Sequence, residues 1–163
     1  MGVDFPLLSL ITFLPLIGAF FILTIRGEQE DVDRNARHAA LFTSLFTAAL
    51  SIYALLIFNP SSADFQFVEK VEWLPAFGLT YKMGVDGVSF FFVLLSALLT
   101  PVCVLASWTS VRKRVKHYMI AFLVLETLMI GTFCAMDAFL FYVFFEAVLI
   151  PMFLIIGIWG GKR

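Results

Sequence analysis

The chain has 163 residues, of which 61% are hydrophobic and 14% are charged, and its mean hydropathy is +0.98. Soluble domains are typically about 45–50% apolar and about 25% charged, so this composition excludes an ordinary soluble domain. The net charge of −1 suggests no nucleic-acid partner.

Five apolar stretches of 19 to 24 residues run along the chain, and only two of them contain a charged residue. About 20 apolar residues cross a hydrocarbon core of roughly 30 Å as a helix, whereas a barrel strand needs only about ten residues of alternating polarity. The sequence therefore predicts an all-α integral membrane protein with five transmembrane helices, at 7–25, 38–58, 88–108, 117–136 and 138–161.

The leader MGVDFP carries no basic residue, and no small-residue cleavage site follows the first stretch. We therefore expect the first helix to be retained rather than removed as a signal peptide. The charged links RGEQEDVDRNAR and TSVRKRVK are interpreted as solvated connections. The longer connection 59–85 contains partly alternating apolar and polar positions, in FQFVEKVEWLP and FGLTYKM, which predict a small surface hairpin.

Lysine and arginine are distributed unevenly between the two sides of the predicted bundle. Only Lys70 and Lys82 lie on the side of loop 59–85. Because basic residues are retained on the cytoplasmic side, we predict an outside N-terminus, a periplasmic loop and a cytoplasmic C-terminus. The nine residues on the other side are Arg26, Arg34, Arg37, Arg112, Lys113, Arg114, Lys116, Lys162 and Arg163.

No motif for a redox cofactor or nucleotide is found. Cys103 and Cys134 stand singly in separate helices, without the spacing of a metal or disulfide site. The segments GVDGVS and IGIWGG fit neither a P-loop nor a dinucleotide fingerprint. We therefore expect this chain itself to bind no nucleotide, flavin, metal or iron–sulfur cluster.

Two acids, Glu126 and Glu146, lie within the apolar stretches. An ionised acid at mid-membrane costs at least about 2.5–3.5 kcal/mol on insertion scales, so each of them needs a reason. The short link near Asp137 predicts that helices four and five form an antiparallel hairpin, with Asp137 at the N-cap of the fifth. Both carboxyl groups then lie about 14–17 Å from that link, close to the midplane.

Desolvation favours the neutral form of a carboxyl group, so such an acid can load and release a proton when its surroundings change. Proton or ion handling is the favoured interpretation, more strongly for Glu146 than for Glu126. The alternative is that a protonated Glu only hydrogen-bonds between helices. Pro151 supports the role of Glu146, because it cannot donate to the carbonyl of Ala147 and should loosen the turn beyond the acid, where water could enter.

Asp86 precedes the third apolar stretch in KMGVDGVSFFF. An Asp directly before a helical apolar run is typical of an N-cap. We prefer this structural interpretation of Asp86 to a functional one.

The segments MGVDGVSFFFVLLSALLTP and HYMIAFLVLETLMIGTFCAMDAFLFYVFFEAVLIPMFLIIGIWGGKR closely resemble the membrane subunit M family of proton-translocating NADH:quinone oxidoreductase, respiratory complex I, also called chain 4 in mitochondria. Its most specific part is FFEAVLIPMFLIIGIWGG. The resemblance implies an antiporter-like fold of inverted five-helix repeats, the first of which begins at helix four. The chain would then divide into helices one to three, within 1–116, and helices four and five, within 117–163.

The same resemblance implies that Glu146 is the essential acid of a proton half-channel and that Glu126 is a possible proton relay. NADH, FMN, the iron–sulfur clusters and quinone would be bound by partner subunits, and other membrane subunits of complex I would be the partners. The expected location is the bacterial inner (plasma) membrane, with the mitochondrial inner membrane as the alternative.

The resemblance also implies roughly nine further helices, including a mid-membrane lysine expected to partner Glu146, so the sequence is expected to be a fragment. Two other functions stay open at this point. The chain could be a subunit of a multisubunit sodium/proton antiporter, which would use the same helices without a redox reaction. It could also be a structural five-helix protein whose two acids only join helices.

Overall fold

The structure is a computed structural model that describes residues 6–160. Residues 1–5 of the leader and residues 161–163, with the cations Lys162 and Arg163, lie outside the described residues. In chain order the elements are α1 Leu7–Leu23, α2 Gln29–Ile57, β1 Gln66–Leu74, a 3-10 turn Pro75–Phe77, β2 Leu79–Val85, α3 Gly87–Ala106, α4 Val115–Cys134 and α5 Ala138–Trp159.

The prediction of a mostly helical chain with membrane-spanning helices is confirmed. Four helices, α2 to α5, are long and apolar enough to cross a membrane. The first helix, α1, has 17 residues and is shorter than the other four. At 1.5 Å per residue it extends about 26 Å, which is somewhat less than the thickness of the hydrocarbon core.

The start of α2 differs from the sequence prediction. The helix begins at Gln29 rather than near residue 38, so most of the link interpreted as solvated is helical. Side chains one turn apart hold this charged segment: Arg34 pairs with Asp31 at 3.0 Å, and the Gln29 amide donates to Asp33 at 2.7 Å. Such pairs stabilise a helix that apolar periodicity does not reveal.

The connection between α2 and α3 contains an antiparallel hairpin of β1 and β2. Gly78 follows the 3-10 turn with φ of 68°, a left-handed conformation that glycine adopts without steric cost. The hairpin is fastened to the link between α4 and α5, because the Met136 N–H donates to the Lys82 carbonyl at 2.9 Å. Met83 also forms an isolated antiparallel bridge with Ala135.

The fourth helix is the centre of the bundle, since α4 packs against α1, α2, α3 and α5. One apolar cluster lies at the hairpin end and includes Leu8, Met83 and Ile130. A second lies at the opposite end and includes Ile22 and Met119. In contrast, α5 lies at the edge of the described bundle and buries only Leu140, Phe144 and Pro151.

Candidate functional site

Glu126 lies in the interior of the bundle, on the helix that contacts all the others. Its side chain is 2% exposed, and neither carboxyl oxygen has a hydrogen-bond partner among the described residues. The Thr100 side chain on α3 approaches it. However, the Thr100 hydroxyl donates to the Ser96 carbonyl at 2.9 Å and so leaves the acid unpartnered.

The bundle interior also contains several buried serine and threonine side chains, which come from α1, α2, α3 and α4. Most of those on α2 and α3 donate to a carbonyl in the preceding turn of their own helix, which leaves their oxygen atoms able to accept. The interior around α4 is therefore polar at discrete points, although its helices are apolar overall. These buried residues are Thr12, Ser44, Thr47, Ser51, Ser96, Thr100 and Thr127.

Glu146 lies on the face of α5 that points away from α4. Phe144 is 6% exposed and faces α4, where its ring lies directly against Gly131. Two residues turn an α-helix by about 200°, so Glu146 projects away from that contact. It is exposed on the surface of the described chain.

The two acids nevertheless lie at matching positions along the hairpin. Glu126 is eight residues before Cys134, where α4 ends, and Glu146 is eight residues after Ala138, where α5 begins. At 1.5 Å per residue each is about 12 Å from the link, so they share a depth. The structure therefore brings the acids to one level but does not bring them to one surface.

Asp137 occupies the N-cap position of α5, but its carboxylate makes no capping hydrogen bond. Instead it accepts from the Thr80 N–H of β2, at the long distance of 3.4 Å. The expected local cap is therefore replaced by a contact with the hairpin, because β2 lies beside the link between the two helices.

Asp86 is the N-cap of α3. Its carboxylate accepts from the Ser89 N–H at 2.8 Å, and the Ser89 hydroxyl accepts from the Asp86 N–H at 2.9 Å, which forms a capping box. The hydrogen bond from the Ser89 backbone N–H, followed by that from its hydroxyl, holds the pKa of Asp86 below its usual value of 3.8. These contacts are those of a helix start.

Pro151 is buried inside α5, which continues to Trp159 without interruption. It stands five residues after Glu146, which corresponds to about 140° around the helix. The proline therefore faces the bundle, whereas the acid faces outward, and the two side chains do not share a surface.

A cluster at the hairpin end had no counterpart in the sequence prediction. Glu69 of β1 accepts from the Ser9 backbone N–H at 3.0 Å and from the Ser9 hydroxyl at 2.5 Å, and the same hydroxyl lies 2.6 Å from the Tyr81 hydroxyl. Burial, and secondarily the Glu69 charge, raise the pKa of Tyr81, although the contact with Ser9 opposes this. Because Pro6 provides no side-chain cap, Glu69 caps α1 from a distant part of the chain.

Within residues 6–160, no three His, Cys, Asp or Glu side chains gather in a group that could hold a metal ion. Cys103 and Cys134 are both free thiols. Within the described bundle, Glu126 at the centre is therefore a single acid rather than part of a ligand set.

Comparison with known proteins identifies the family. The family model described as the amino terminus of NADH-ubiquinone oxidoreductase chain 4 matches residues 38–136. The NADH-quinone oxidoreductase subunit M of Rhodobacter capsulatus is 54% identical over 158 residues, which cover 96% of this chain and 30% of that protein. The NADH-ubiquinone oxidoreductase chain 4 of Marchantia polymorpha is 44% identical over 156 residues, or 96% of this chain and 31% of the relative.

A solved structure agrees with these relatives. A chain of respiratory complex I from Thermus thermophilus with bound NADH superimposes with a TM-score of 0.76 at 27% identity, over 95% of this chain and 30% of that chain. This chain thus spans about a third of the length of the relatives that it matches. Since the family model covers more than half of it, the chain belongs to the family of NADH-ubiquinone oxidoreductase chain 4, called subunit M in the bacterial enzymes.

Proposed function

We propose that this chain contributes to proton translocation in the membrane part of an NADH:quinone oxidoreductase. The observation that carries the proposal is Glu126, an acid that is buried at the centre of the bundle and has no hydrogen-bond partner within residues 6–160. The family of this chain is a subunit of that enzyme. An intramembrane acid that faces a bundle interior is by default a functional group. The relatives reported above are complex I subunits, which favours this function over sodium/proton antiport.

Glu146 is the proposed proton carrier. It is the only acid on α5, and its carboxyl group lies on the open face of that helix at the depth of Glu126. The relatives are about three times as long as this chain, so their further helices have room to cover α5 and to enclose the acid. An acid between helices can exchange a proton with a neighbouring charge or water and remain shielded from lipid.

Glu126 is the proposed relay. The Thr100 hydroxyl lies beside the Glu126 carboxyl group, and Thr127 follows Glu126 in the sequence. Both threonines are buried with the acid. Hydroxyl oxygens both donate and accept hydrogen bonds, so they can pass a proton between the acid and water that enters the bundle. In this arrangement Glu126 exchanges protons in the interior of α1 to α4, and Glu146 exchanges protons at the outer face of α5.

The membrane arrangement proposed for the chain has five spans, with α1 as the shortest. The hairpin of β1 and β2 lies outside, and the ends that carry Arg26 and Arg112 lie in the cytoplasm or its mitochondrial equivalent, because seven of the nine basic residues within 6–160 are at that end. The first inverted repeat begins at α4. The site of action is the bacterial inner membrane or the mitochondrial inner membrane.

Partner subunits supply the redox chemistry in this proposal. They bind NADH, FMN, the iron–sulfur clusters and quinone, and this chain holds none of them. Its contacts are with other membrane subunits, lipid and protons. Electron transfer elsewhere would shift the charge next to Glu146 and drive its proton loading and release.

Purification of the tagged protein from its own membrane tests membership of the assembly. We expect NADH:quinone reductase activity to copurify with the tag, and deletion of the gene to abolish NADH-driven proton uptake into inverted vesicles in sodium-free buffer. Copurification of a sodium/proton exchange activity that needs no NADH would instead identify an antiporter and contradict the proposal.

A further inference from the structure

A basic cavity of about 510 Å³ lies at the end of the bundle opposite the hairpin. It is formed where α1 ends and where α2 and α4 begin, and among residues 6–160 Asp33 is the only acid that lines it. The basic lining residues are Arg26, Arg112, Lys113, Arg114, Lys116 and His117. The cavity thus combines five permanent cations with one carboxylate.

Most of this positive charge is not used by the fold. Arg26, Lys113 and Arg114 make no side-chain hydrogen bond within residues 6–160, and the only ion pair there is the exposed one between Arg34 and Asp31. Asp33 accepts from the Gln29 amide and forms no ion pair in the same range. Three guanidinium or ammonium groups are therefore free to bind an anion.

Lys116 and Arg112 have structural contacts as well. The Lys116 ammonium donates to the carbonyls of Leu23 at 3.2 Å and Ile25 at 3.0 Å, where it satisfies the C-terminal end of α1. The Arg112 Nε donates to the Thr109 carbonyl at 3.1 Å. These three bonds fix the walls of the cavity without neutralising it.

An apolar groove of about 380 Å³ continues from the cavity along the bundle. Arg114 and His117 line both spaces, so the basic cavity and the groove meet at these side chains. The groove then runs between α4 and α5, past Ala121, Ile150 and Leu154. A ligand with one charged end and one apolar end matches the basic cavity and the apolar groove that continues from it.

We propose that the cavity and groove bind one anionic phospholipid, with its phosphate in the basic cavity and an acyl chain in the groove. The charge of the cavity is complementary to a phosphate diester, and basic pockets between membrane helices at the positive end of a bundle are suited to anionic headgroups. A soluble anion would use the cavity but not the groove, and a further protein helix would fill the groove without needing five cations. A lipid uses both.

Photolabelling of the purified membrane assembly in nanodiscs tests the proposal. One preparation contains phosphatidylglycerol with a diazirine in its acyl chain, and the other contains the matching diazirine phosphatidylcholine, each diluted in phosphatidylcholine. We expect the anionic probe to label peptides 117–124 and 150–158 several-fold more strongly than the zwitterionic one. Lipid contact is read directly, so the result does not depend on the proposed proton function.

Charge-removing variants give the matched comparison. Arg114→Gln should lower the preference for phosphatidylglycerol by up to about fivefold, as expected for one cation near an anionic lipid, and Arg26→Gln/Lys113→Gln/Arg114→Gln should abolish it. Arg34→Gln removes one charge at the same end but outside the cavity and should leave the preference unchanged. Unchanged labelling by the phosphatidylcholine probe in every variant checks that the bundle is intact.

Three outcomes would overturn the proposal. Equal labelling by the two probes would show that the charge selects no lipid, and absence of label from the groove peptides would show that another protein segment fills the groove. Loss of the preference in phosphate buffer at constant ionic strength would assign the cavity to a soluble anion.

Discussion

Glu126 and Glu146 lie eight residues from opposite ends of the α4–α5 link, yet they face different surroundings. Glu126 is 2% exposed inside the bundle, whereas Glu146 points away from it. A proton that passes between them must therefore cross the packed face of α5 or go around it. The two acids are best regarded as groups on two sides of one helix rather than as a directly bonded pair.

The packed face of α5 depends on Gly131. A Cβ atom at this position would lie 2.6 Å from the Phe144 ring, so Gly131→Ala should destabilise the hairpin of α4 and α5 by about 1–3 kcal/mol through overpacking. Thermal unfolding of the purified protein measures the loss. Gly87→Ala is the control, because nothing lies within 4 Å of a Cβ there. Phe144→Leu in the Gly131→Ala background should restore part of the stability, and failure of both effects would contradict the packing described.

The capping box at the start of α3 makes a pH-dependent prediction. Asp86→Ala should cost about 1 kcal/mol of stability, as expected for loss of an N-cap. Because folding lowers the pKa of Asp86, its stabilisation is complete above about 3.8 and is lost as pH falls through the lower pKa of the folded chain. The difference in unfolding temperature between the wild type and Asp86→Ala should thus shrink below pH 3.8. A difference in unfolding temperature that grows as the pH falls would contradict a lowered pKa of Asp86 in the folded chain.

The contact between Glu69 and Ser9 predicts a local effect at the first turn of α1. Glu69→Ala leaves the Ser9 N–H without its acceptor, which costs about 1–3 kcal/mol if the group stays buried. Hydrogen exchange of residues 7–10 should become faster, and the remainder of α1 should change less. Glu72→Ala alters an exposed acid on the same strand and serves as the control. Equal exchange in the two variants would remove the capping role from Glu69.

The proposed orientation is testable with single cysteines in a background that lacks Cys103 and Cys134. Lys70→Cys places a thiol on the hairpin, and Arg112→Cys places one at the basic end. A membrane-impermeant maleimide should label the first from outside intact cells and the second only in inverted vesicles. The reverse pattern would invert the proposed topology.

Apolar run length and local pattern predicted part of the fold well. The helices lie where uncharged stretches were found, and the alternating segment of 59–85 contains the hairpin. Sequence pattern did not reveal the charged first turns of α2, because side-chain pairs such as Arg34–Asp31 stabilise them without apolar periodicity.

Long-range contacts set the remaining features. Asp137 contacts Thr80 because the hairpin folds back onto the α4–α5 link, which no local pattern encodes. In the same way, the depth of Glu126 and Glu146 follows from counting residues, but their directions do not. Glu126 points where the packing of α4 against α1, α2 and α3 places it, and Glu146 points away from the face of α5 that packs against Gly131. The sequence favoured Glu146 over Glu126 for proton handling, whereas within the described chain Glu126 is the buried acid.

The most direct measurement is the number of protons moved per electron in the assembly that carries Glu146→Gln, with NADH oxidation and proton uptake recorded in the same vesicles. Tyr142→Phe, one turn earlier on the exposed face of α5, is the matched control. We predict a strongly reduced ratio for Glu146→Gln, a smaller reduction for Glu126→Gln and the wild-type ratio for Tyr142→Phe. An unchanged ratio in Glu146→Gln, at normal assembly and NADH oxidation, would contradict the proposed role of this acid as the proton carrier.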